Sequence, residues 1–467
     1  MPIRLRPARE LLHSVVSNDT ARPDNRLALV DQALFAGHSA AGQRVVIEVV
    51  WVYEHGIDLD GLRRFHHNLG YGLLGRRIER SPLPFGRHRW VIDRGPSDID
   101  VAQRARPRAE LSDWADERSQ LPVDPERGPG WHLAVLPLAD GSTAVSLVLA
   151  HYLIDGLGLA NVLADAILGN THDLGYPPPH SRSRLRAVVQ DARQTAQDIP
   201  EVVRAVATAA KLARRGRLEV ARSPAPRPAA LHGSDGDDVV VVPTITIYID
   251  LDDWDSRAKA LGGTSNTLAA GLAAKLGERV GRRRASDGAI TLQLPISERV
   301  EGDTRAFALS YARVSVDPTH LTTDLGDARA AIKQALGSVR ETTDESSQVL
   351  WLTPFTPNRA MKRMVDAGFT DPDRPVFCST LGDLGSVLSR LDGTDAEYAA
   401  ARVTGQRITR QWLERIGGQL TVLSGRLSGK VFITVVAYQP GAENTKSALR
   451  ELAARTLAEF GLTGEID

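Results

Sequence analysis

The sequence predicts a mixed α/β protein built in two halves. Its 467 residues exceed what one ordinary hydrophobic core accommodates, so two halves are the expected arrangement. Short apolar runs typical of strands alternate with segments of helical apolar spacing on both sides of a connector rich in proline and arginine. We therefore expect one half over residues 1–175 and another over residues 239–467, joined by a basic helical connector over residues 176–238.

In the first half, the apolar run at residues 143–150 is short, rich in branched side chains and free of charge, which is typical of a buried strand. Residues 131–137 predict a second strand, and the Asp-Gly pair at 140–141 predicts the hairpin turn between the two. Residues 157–168 have the apolar spacing of a helix. The segment 151–156 therefore lies where a core strand ends and the chain turns into a helix.

The second half shows the same alternation. A helix is predicted over residues 268–280, with its N-terminal cap at Thr264 or Asn266. The other predicted elements are strands over 239–251, 289–296, 312–316 and 431–438, and helices over 328–339 and 446–460.

The connector contains a long segment of helical spacing, residues 185–220, and ends in linker chemistry at residues 223–236. Arginine recurs along it, at Arg182, Arg184, Arg186, Arg193, Arg204, Arg214, Arg215 and Arg217. The simpler interpretation is a solvated connecting helix packed across both halves. The alternative is a surface that contacts anionic lipid or the phosphates of coenzyme A.

Composition narrows the class of protein. Apolar residues make up 42% and charged residues 24%, as in ordinary globular proteins, and the formal charge of zero gives no basic field for nucleic acid. Cys378 is the only cysteine, which excludes an internal disulfide and indicates a reducing compartment. The first residues lack the apolar core of a secretory signal, and no apolar window is long enough to span a membrane. We therefore expect a cytoplasmic protein. We also expect no metal site, because the histidines do not cluster at ligand spacing.

The sequence His151-Tyr-Leu-Ile-Asp155-Gly156 suits general-base chemistry. An imidazole with a pKa of about 6.5 accepts a proton near pH 7. Asp155 can brace the turn through backbone hydrogen bonds or an arginine, and Gly156 permits a tight turn and close approach by a substrate. The alternative is a histidine at the edge of the core followed by an Asp-Gly turn, with no chemistry.

This segment resembles the HHxxxDG motif of the acyl-CoA-dependent acyltransferase superfamily. That group includes wax ester synthase/diacylglycerol acyltransferases, polyketide-associated acyltransferases and the condensation domains of peptide synthetases. The second histidine of the motif falls on His151, and its Asp and Gly fall on Asp155 and Gly156. Ala150 stands where the family has its first histidine, so the chain departs from the full pattern there.

Further segments resemble the family in the same order along most of the chain. Residues 59–65 and 74–79 resemble its first helix and following strand, and residues 261–267 resemble the GGTxND of wax ester synthase-like members, with Thr267 in place of the Asp. Residues 295–299 resemble their PVSLR-like stretch. Ser379 corresponds to the serine of an SN-type motif, with Thr380 replacing its asparagine, although residues 383–385 alternatively match the DFG part of a condensation-domain DFGWG.

The resemblance implies two chloramphenicol-acetyltransferase-like halves with the active site in a tunnel at their interface. It implies that His151 is the catalytic base and that Asp155 and Gly156 shape the turn. Asp155 would pair with Arg76 or Arg77, or with Arg299. Ser379 or Thr380 would stabilise the oxyanion of the thioester carbonyl or serve only the loop, and Asn266 would contact the substrate. A crossover loop is expected near residues 378–385.

The expected activity is therefore transfer of an acyl group from a thioester to an alcohol, with acyl-CoA or a phosphopantetheine thioester as substrate and no cofactor. The expected partners are acyl-CoA and a small-molecule or lipid alcohol or amine, together with an acyl carrier protein or a peripheral membrane surface. One alternative is a condensation-type enzyme that forms amides or esters from carrier-bound substrates. Another is a non-catalytic protein that binds acyl chains, which Ala150 makes plausible.

Overall fold

The computed structural model describes residues 24–220, 238–369 and 371–467, without the side chains of residues 215–220, 340–346 and 366–369. The predicted linker at residues 223–236 and the N-terminal segment lie outside these ranges, as do the side chains of Arg215 and Arg217. The expected mixed α/β architecture in two halves is confirmed, because two separate sheets each carry helices on their faces.

The strands are β1 (Arg44–Tyr53), β2 (Arg76–Glu79), β3 (Arg89–Ile92), β4 (Asp100–Val101), β5 (Trp131–Pro137), β6 (Thr143–Ala150), β7 (Thr244–Asp250), β8 (Ile290–Ser297), β9 (Leu309–Val316), β10 (Val376–Asp383), β11 (Tyr398–Gln406), β12 (Gln419–Leu427), β13 (Lys430–Tyr438) and β14 (Glu465–Ile466). The helices are α1 (Leu29–Ala41), α2 (Leu59–Leu69), α3 (Leu111–Gln120), α4 (Gly156–Leu168), α5 (Arg184–Val220), α6 (Leu251–Ala260), α7 (Ser265–Arg279), α8 (Gly326–Val349), α9 (Asn358–Phe369), α10 (Arg410–Arg415) and α11 (Lys446–Glu459).

The first sheet has the strand order β11-β1-β6-β5-β4. Its centre is the predicted hairpin of β5 and β6, whose turn is stabilised by Asp140, because the carboxylate of this residue accepts from the Ser142 backbone N–H at 3.0 Å. Every residue of β6 is buried, which explains why the strand shows no polar alternation. Helix α4 follows it after the turn at residues 151–155, close to the predicted bounds.

The second sheet has the order β14-β7-β13-β12-β10-β8-β9. Helix α7 packs against it through small side chains, and its N-cap is Thr264, one of the two predicted positions, whose hydroxyl accepts from the Thr267 N–H. Strand β10 runs parallel to both neighbours but pairs with β8 only at Val376 and Phe377. Beyond Phe377 the two strands diverge and leave space between them.

Strand β11 connects the halves. Although it follows β10 in the chain, it leaves the second sheet and pairs antiparallel with β1 in the first. Arg402 of β11 fixes this pairing through its guanidinium, which donates to Glu48 of β1 and to Asp116 of α3, each at 2.6 Å. The expected crossover loop at residues 378–385 is instead mostly strand β10, because Phe377 to Thr380 form a ladder with β12, and the crossing starts after it.

Within the connector, residues 184–220 form one long helix, α5, as predicted from their spacing, and this helix packs against α8. Among the residues that the structure describes, no helix combines the length and apolar character needed to cross a membrane.

Candidate active site

The predicted base, His151, starts a short 3₁₀ turn at the end of β6. Because β6 is hydrogen-bonded on both sides, to β1 and to β5, the sheet fixes where this residue emerges. The chain then enters α4, for which Asp155 is the N-cap: its Oδ1 accepts from the Gly158 N–H at 2.7 Å. Strand, turn and helix cap together hold the imidazole at one position.

The imidazole of His151 has the tautomer that a base requires. Its Nδ1 lies 3.0 Å from the carbonyl oxygen of Ile154, and since a carbonyl can only accept, Nδ1 carries the proton. Nε2 therefore bears the free lone pair. Nε2 has no hydrogen-bond partner among the described residues. It is not one of the fully buried nitrogen atoms that lack a partner in this part of the chain, so some of its surface is open. The lone pair is accessible to a substrate.

Burial lowers the pKa of His151 below its usual value of 6.5, because the imidazolium form would lose hydration at this position. The hydrogen bond to the Ile154 carbonyl and the negative charge of Asp155 raise the pKa, but they do not overcome burial. The ring is therefore neutral, and able to accept a proton, at pH 7.

The carboxylate of Asp155 is fully buried and faces the second half of the chain. Its Oδ2 accepts from Arg299 Nη2 at 2.6 Å and from the Ala308 N–H at 2.9 Å, and its Oδ1 accepts from Arg299 Nε at 3.2 Å. Arg299 also donates to the carbonyl oxygens of Asp303, Arg305 and Ala306, each at 3.1 Å. This ion pair joins the turn after His151 to the loop after β8.

An apolar cavity of about 130 Å³ opens beside His151, in the space where β8 and β10 diverge. Both halves line it: the first half contributes residues of β1 and α4 and His151 from the turn between β6 and α4, and the second contributes residues of β8 to β13. The lining side chains are mostly aliphatic or aromatic, and they include Ile47, Val49, Trp51, Leu159, Leu163, Phe377, Leu381 and Leu423. The only titratable side chains in this lining are those of His151 and Tyr311.

Two-half proteins with this architecture are known. The first condensation domain of the calcium-dependent antibiotic synthetase, solved with a substrate analogue, matches with a TM-score of 0.56 and 14% identity, over 94% of this chain and 96% of that one. The wax ester synthase/diacylglycerol acyltransferase from Marinobacter aquaeolei VT8 matches with a TM-score of 0.53 and 16% identity, over 93% and 98%. No protein-family model and no curated protein sequence matches the chain.

The chain has the condensation-domain fold. At these identities the likeness concerns the fold alone, and the chemistry depends on the residues that this chain itself brings together.

Within the condensation-domain fold, the three predicted arginines have different surroundings. Arg299 is the partner of Asp155. Arg76 is buried over the Trp90 ring and donates to the carbonyl oxygens of Leu153 and Thr304. It therefore stabilises the turn after His151 through the Leu153 backbone and forms no hydrogen bond with Asp155. Arg77 donates to the Arg127 carbonyl at the surface, away from the turn.

The predicted substrate-binding residues also separate. Ser379 and Thr380 of β10 both line the cavity beside His151. Asn266 lies in the first turn of α7 and lines a different, smaller cavity, which it shares with Thr380. Thr380 therefore stands between the two spaces, and Asn266 is not a lining residue of the cavity that contains the imidazole.

Ala150, at the position of the first motif histidine, lines a second cavity of about 510 Å³ together with Tyr152. Polar side chains such as Gln43 and Arg44 line this cavity too, so the motif separates an apolar space from a polar one. A second imidazole lies nearby: His38 of α1 packs its ring 5.5 Å from that of Tyr152. Burial, with a further contribution from His151, lowers the pKa of His38 to about 4. Its distance along the chain from the motif kept it out of the prediction.

The sequence analysis also missed the loop that contacts His151 from the second half. Phe307 lies against the imidazole, with ring centroids 4.9 Å apart. Its backbone N–H and that of Ala306 donate to the buried carboxylate of Asp31, both at 2.9 Å. Loop residues show no periodicity, and Asp31 lies within a helix, so only the three-dimensional contacts reveal that they pack against the imidazole of His151.

Two glycines in the first turn of α4 are closely packed. A Cβ at Gly156 would lie 2.9 Å from Leu381, and a Cβ at Gly158 would lie 2.9 Å from both Arg299 Cζ and Ile154 Cγ1. Because Asp155 and three carbonyl oxygens hold the guanidinium of Arg299, it cannot move aside easily.

We expect Gly158→Ala to lower the free energy of unfolding by about 1–3 kcal/mol, as overpacking of a tight site does. Denaturant titration measures this loss. Gly337→Ala is the matched control, because a Cβ there meets nothing within 4 Å on the exposed helix α8, and it should be neutral or stabilising. Equal stability of the two variants would contradict the packing described at Gly158.

Proposed function

We propose that the protein transfers an acyl group from a thioester to an alcohol, with His151 as general base. The observation that carries this proposal is a neutral imidazole with an accessible Nε2 in an apolar cavity shared by both halves. The thioester would be acyl-CoA or acyl-phosphopantetheine. The apolar lining favours a hydrocarbon chain on the donor, on the acceptor or on both.

In the proposed reaction, Nε2 of His151 takes the hydroxyl proton as the acceptor oxygen attacks the thioester carbonyl. The tetrahedral intermediate places negative charge on the former carbonyl oxygen. Collapse of this intermediate forms the ester and breaks the carbon–sulfur bond, and the leaving thiolate takes the proton from Nε2. The imidazole returns to its starting state, so the reaction requires no acyl-enzyme.

The hydroxyl groups of Ser379 and Thr380 are the candidate donors to the oxyanion, because both residues line the cavity beside His151. A donor placed at such an oxygen contributes about 3 kcal/mol to catalysis. Asp155 acts through the turn and not on the substrate, since its four contacts are Arg299 through two nitrogens and the N–H groups of Gly158 and Ala308.

The test is release of free thiol from a panel of acyl-CoA donors of different chain lengths, with alcohol and amine acceptors, and product analysis by mass spectrometry. The proposal expects thiol release that depends on an alcohol and yields its ester. Turnover with only a loaded carrier protein and an amine would instead support a condensation-type enzyme. Binding of acyl-CoA without turnover, with every acceptor and carrier-bound donor, would support a non-catalytic acyl-binding protein.

The pH dependence of kcat/KM gives a separate prediction. The base works only when His151 is neutral, and burial lowers its pKa, so activity should persist to lower pH than for an ordinary histidine. We expect the acidic limb to have its midpoint below pH 6.5. Initial rates at low substrate concentration, measured across the acid range with protein shown to be folded, give this midpoint. A midpoint above the usual value would contradict a ring whose pKa is lowered by partial burial.

A further inference from the structure

The outward face of α5 combines an apolar stripe with positive charge. Five large apolar side chains of this helix are more than half exposed: Leu185 (75%), Val189 (59%), Ile199 (52%), Val203 (62%) and Val206 (55%). Ala192 and Ala196 are exposed at intervening positions, and Ala210 is exposed one turn beyond Val206. The intervals alternate between four and three residues, so these side chains form one continuous stripe on a single side of the helix.

Basic residues border this stripe on one side. These basic residues are exposed and recur at intervals of whole helical turns: Arg186, Arg193, Arg204 and Lys211. At 100° per residue, they lie about 80–100° around the helix from the stripe. At a rise of about 1.5 Å per residue, the stripe from Leu185 to Val206 extends over roughly 30 Å. Arg186 and Arg193 form no ion pair with any described residue.

Three acidic residues of α5 have described side chains, and these point the other way. Asp191 is buried and pairs with Arg89 and Arg182, Asp198 lies near Arg26, and Glu201 is partly buried beside Arg204. Over residues 184–214, whose side chains the structure describes, no exposed residue is an aspartate or a glutamate. The outward face is therefore mainly apolar, and every charged side chain exposed on it over residues 184–214 is cationic. The inward face packs on the protein.

We propose that this face of α5 lies on the surface of an anionic lipid bilayer. An amphipathic helix with an apolar stripe and basic flank binds in the plane of the headgroups, with its apolar side chains at the acyl boundary. A second copy of this chain fits less well, because it would present the same cations and, over residues 184–214, no exposed carboxylate of α5 to neutralise them. The proposal is independent of the reaction at His151.

The experiment is flotation of the full chain with vesicles of phosphatidylcholine and phosphatidylglycerol in equal parts, and with vesicles of phosphatidylcholine alone. We expect binding to the anionic vesicles, weakened by added salt, and little binding to the neutral ones. Binding to neither vesicle, or equal binding to both, would overturn the proposal.

Two variants of α5 test the face itself. Arg186→Gln with Arg193→Gln should weaken binding roughly 30-fold, at about fivefold for each arginine near an anionic surface. Ile199→Ser with Val203→Ser should weaken it at least as much through lost apolar contact. The control is Arg63→Gln with Arg64→Gln, which makes the same charge change on the exposed side of α2 and should leave binding unchanged.

All these positions are exposed, so the variants should fold, and thermal unfolding confirms it. If the control weakened binding as much as the α5 variants, general charge would explain the attraction and this face would not be its source. If vesicles did not bind but the serine variant dissolved a dimer seen by light scattering, the face would be a contact between copies of the chain.

Discussion

We expect His151→Gln to lower kcat for the proposed thioester consumption by about 10²–10⁴, the usual contribution of a positioned general base. Glutamine is similar in size, and its amide can still donate to the Ile154 carbonyl, but it offers no lone pair basic enough to take the acceptor proton. We expect KM to change little, because the cavity lining is otherwise intact. Steady-state rates of thiol release, measured on protein of unchanged melting temperature, give the result.

His132→Gln is the matched control for that substitution. His132 lies on β5 of the same sheet. It lines neither the apolar cavity beside His151 nor the cavity beside Ala150. Burial lowers its pKa to about 4, so it too is a neutral imidazole at pH 7. Its loss should leave kcat within a factor of a few. A His151→Gln enzyme that turns over like this control would remove the base from the mechanism.

Asp155→Ala has the largest expected effect on stability. It leaves the guanidinium of Arg299 buried without its counter-charge, and it removes the acceptor for the N–H groups of Gly158 and Ala308. Breaking one partner of a buried ion pair costs about 3–5 kcal/mol of unfolding free energy, and loss of the α4 cap adds about 1 kcal/mol. Denaturant titration should show this loss, together with reduced expression.

The companion variants distinguish charge from packing. In Asp155→Ala with Arg299→Met, no buried charge is left unpaired, so the double variant should be more stable than Asp155→Ala alone. A single variant within about 1 kcal/mol of the wild type would mean that the ion pair does not hold the halves together.

What could be predicted from the sequence was local. The β5–β6 hairpin, the turn and α4 lie within about forty contiguous residues, and each is determined by its own apolar pattern and by the capping role of Asp155. Arg299 could be named only as one of three arginines, because its pairing with Asp155 spans 144 residues of chain.

Contacts without a local pattern could not be predicted. The loop with Phe307 depends on Asp31, 276 residues earlier, for its backbone hydrogen bonds. Strands β1, β11 and β12 were not predicted. Strands β1 and β11 are hydrogen-bonded to each other although they lie far apart in the chain. Residues 378–385 were expected to form a loop, yet pairing with β12 makes them largely a strand. Propensity alone does not reveal such partners.

Strand β11 has a consequence for how the chain matures. Its partner β1 is synthesised first, and Arg402, which is 354 residues beyond Glu48, emerges from the ribosome much later. Until then one edge of the first sheet has nothing to pair with, and such an edge invites association with other nascent chains. Completion of the first sheet therefore depends on late arrival of a strand encoded in the opposite half, so the two halves, expressed separately, should each be prone to aggregate and should recover the fold only when mixed.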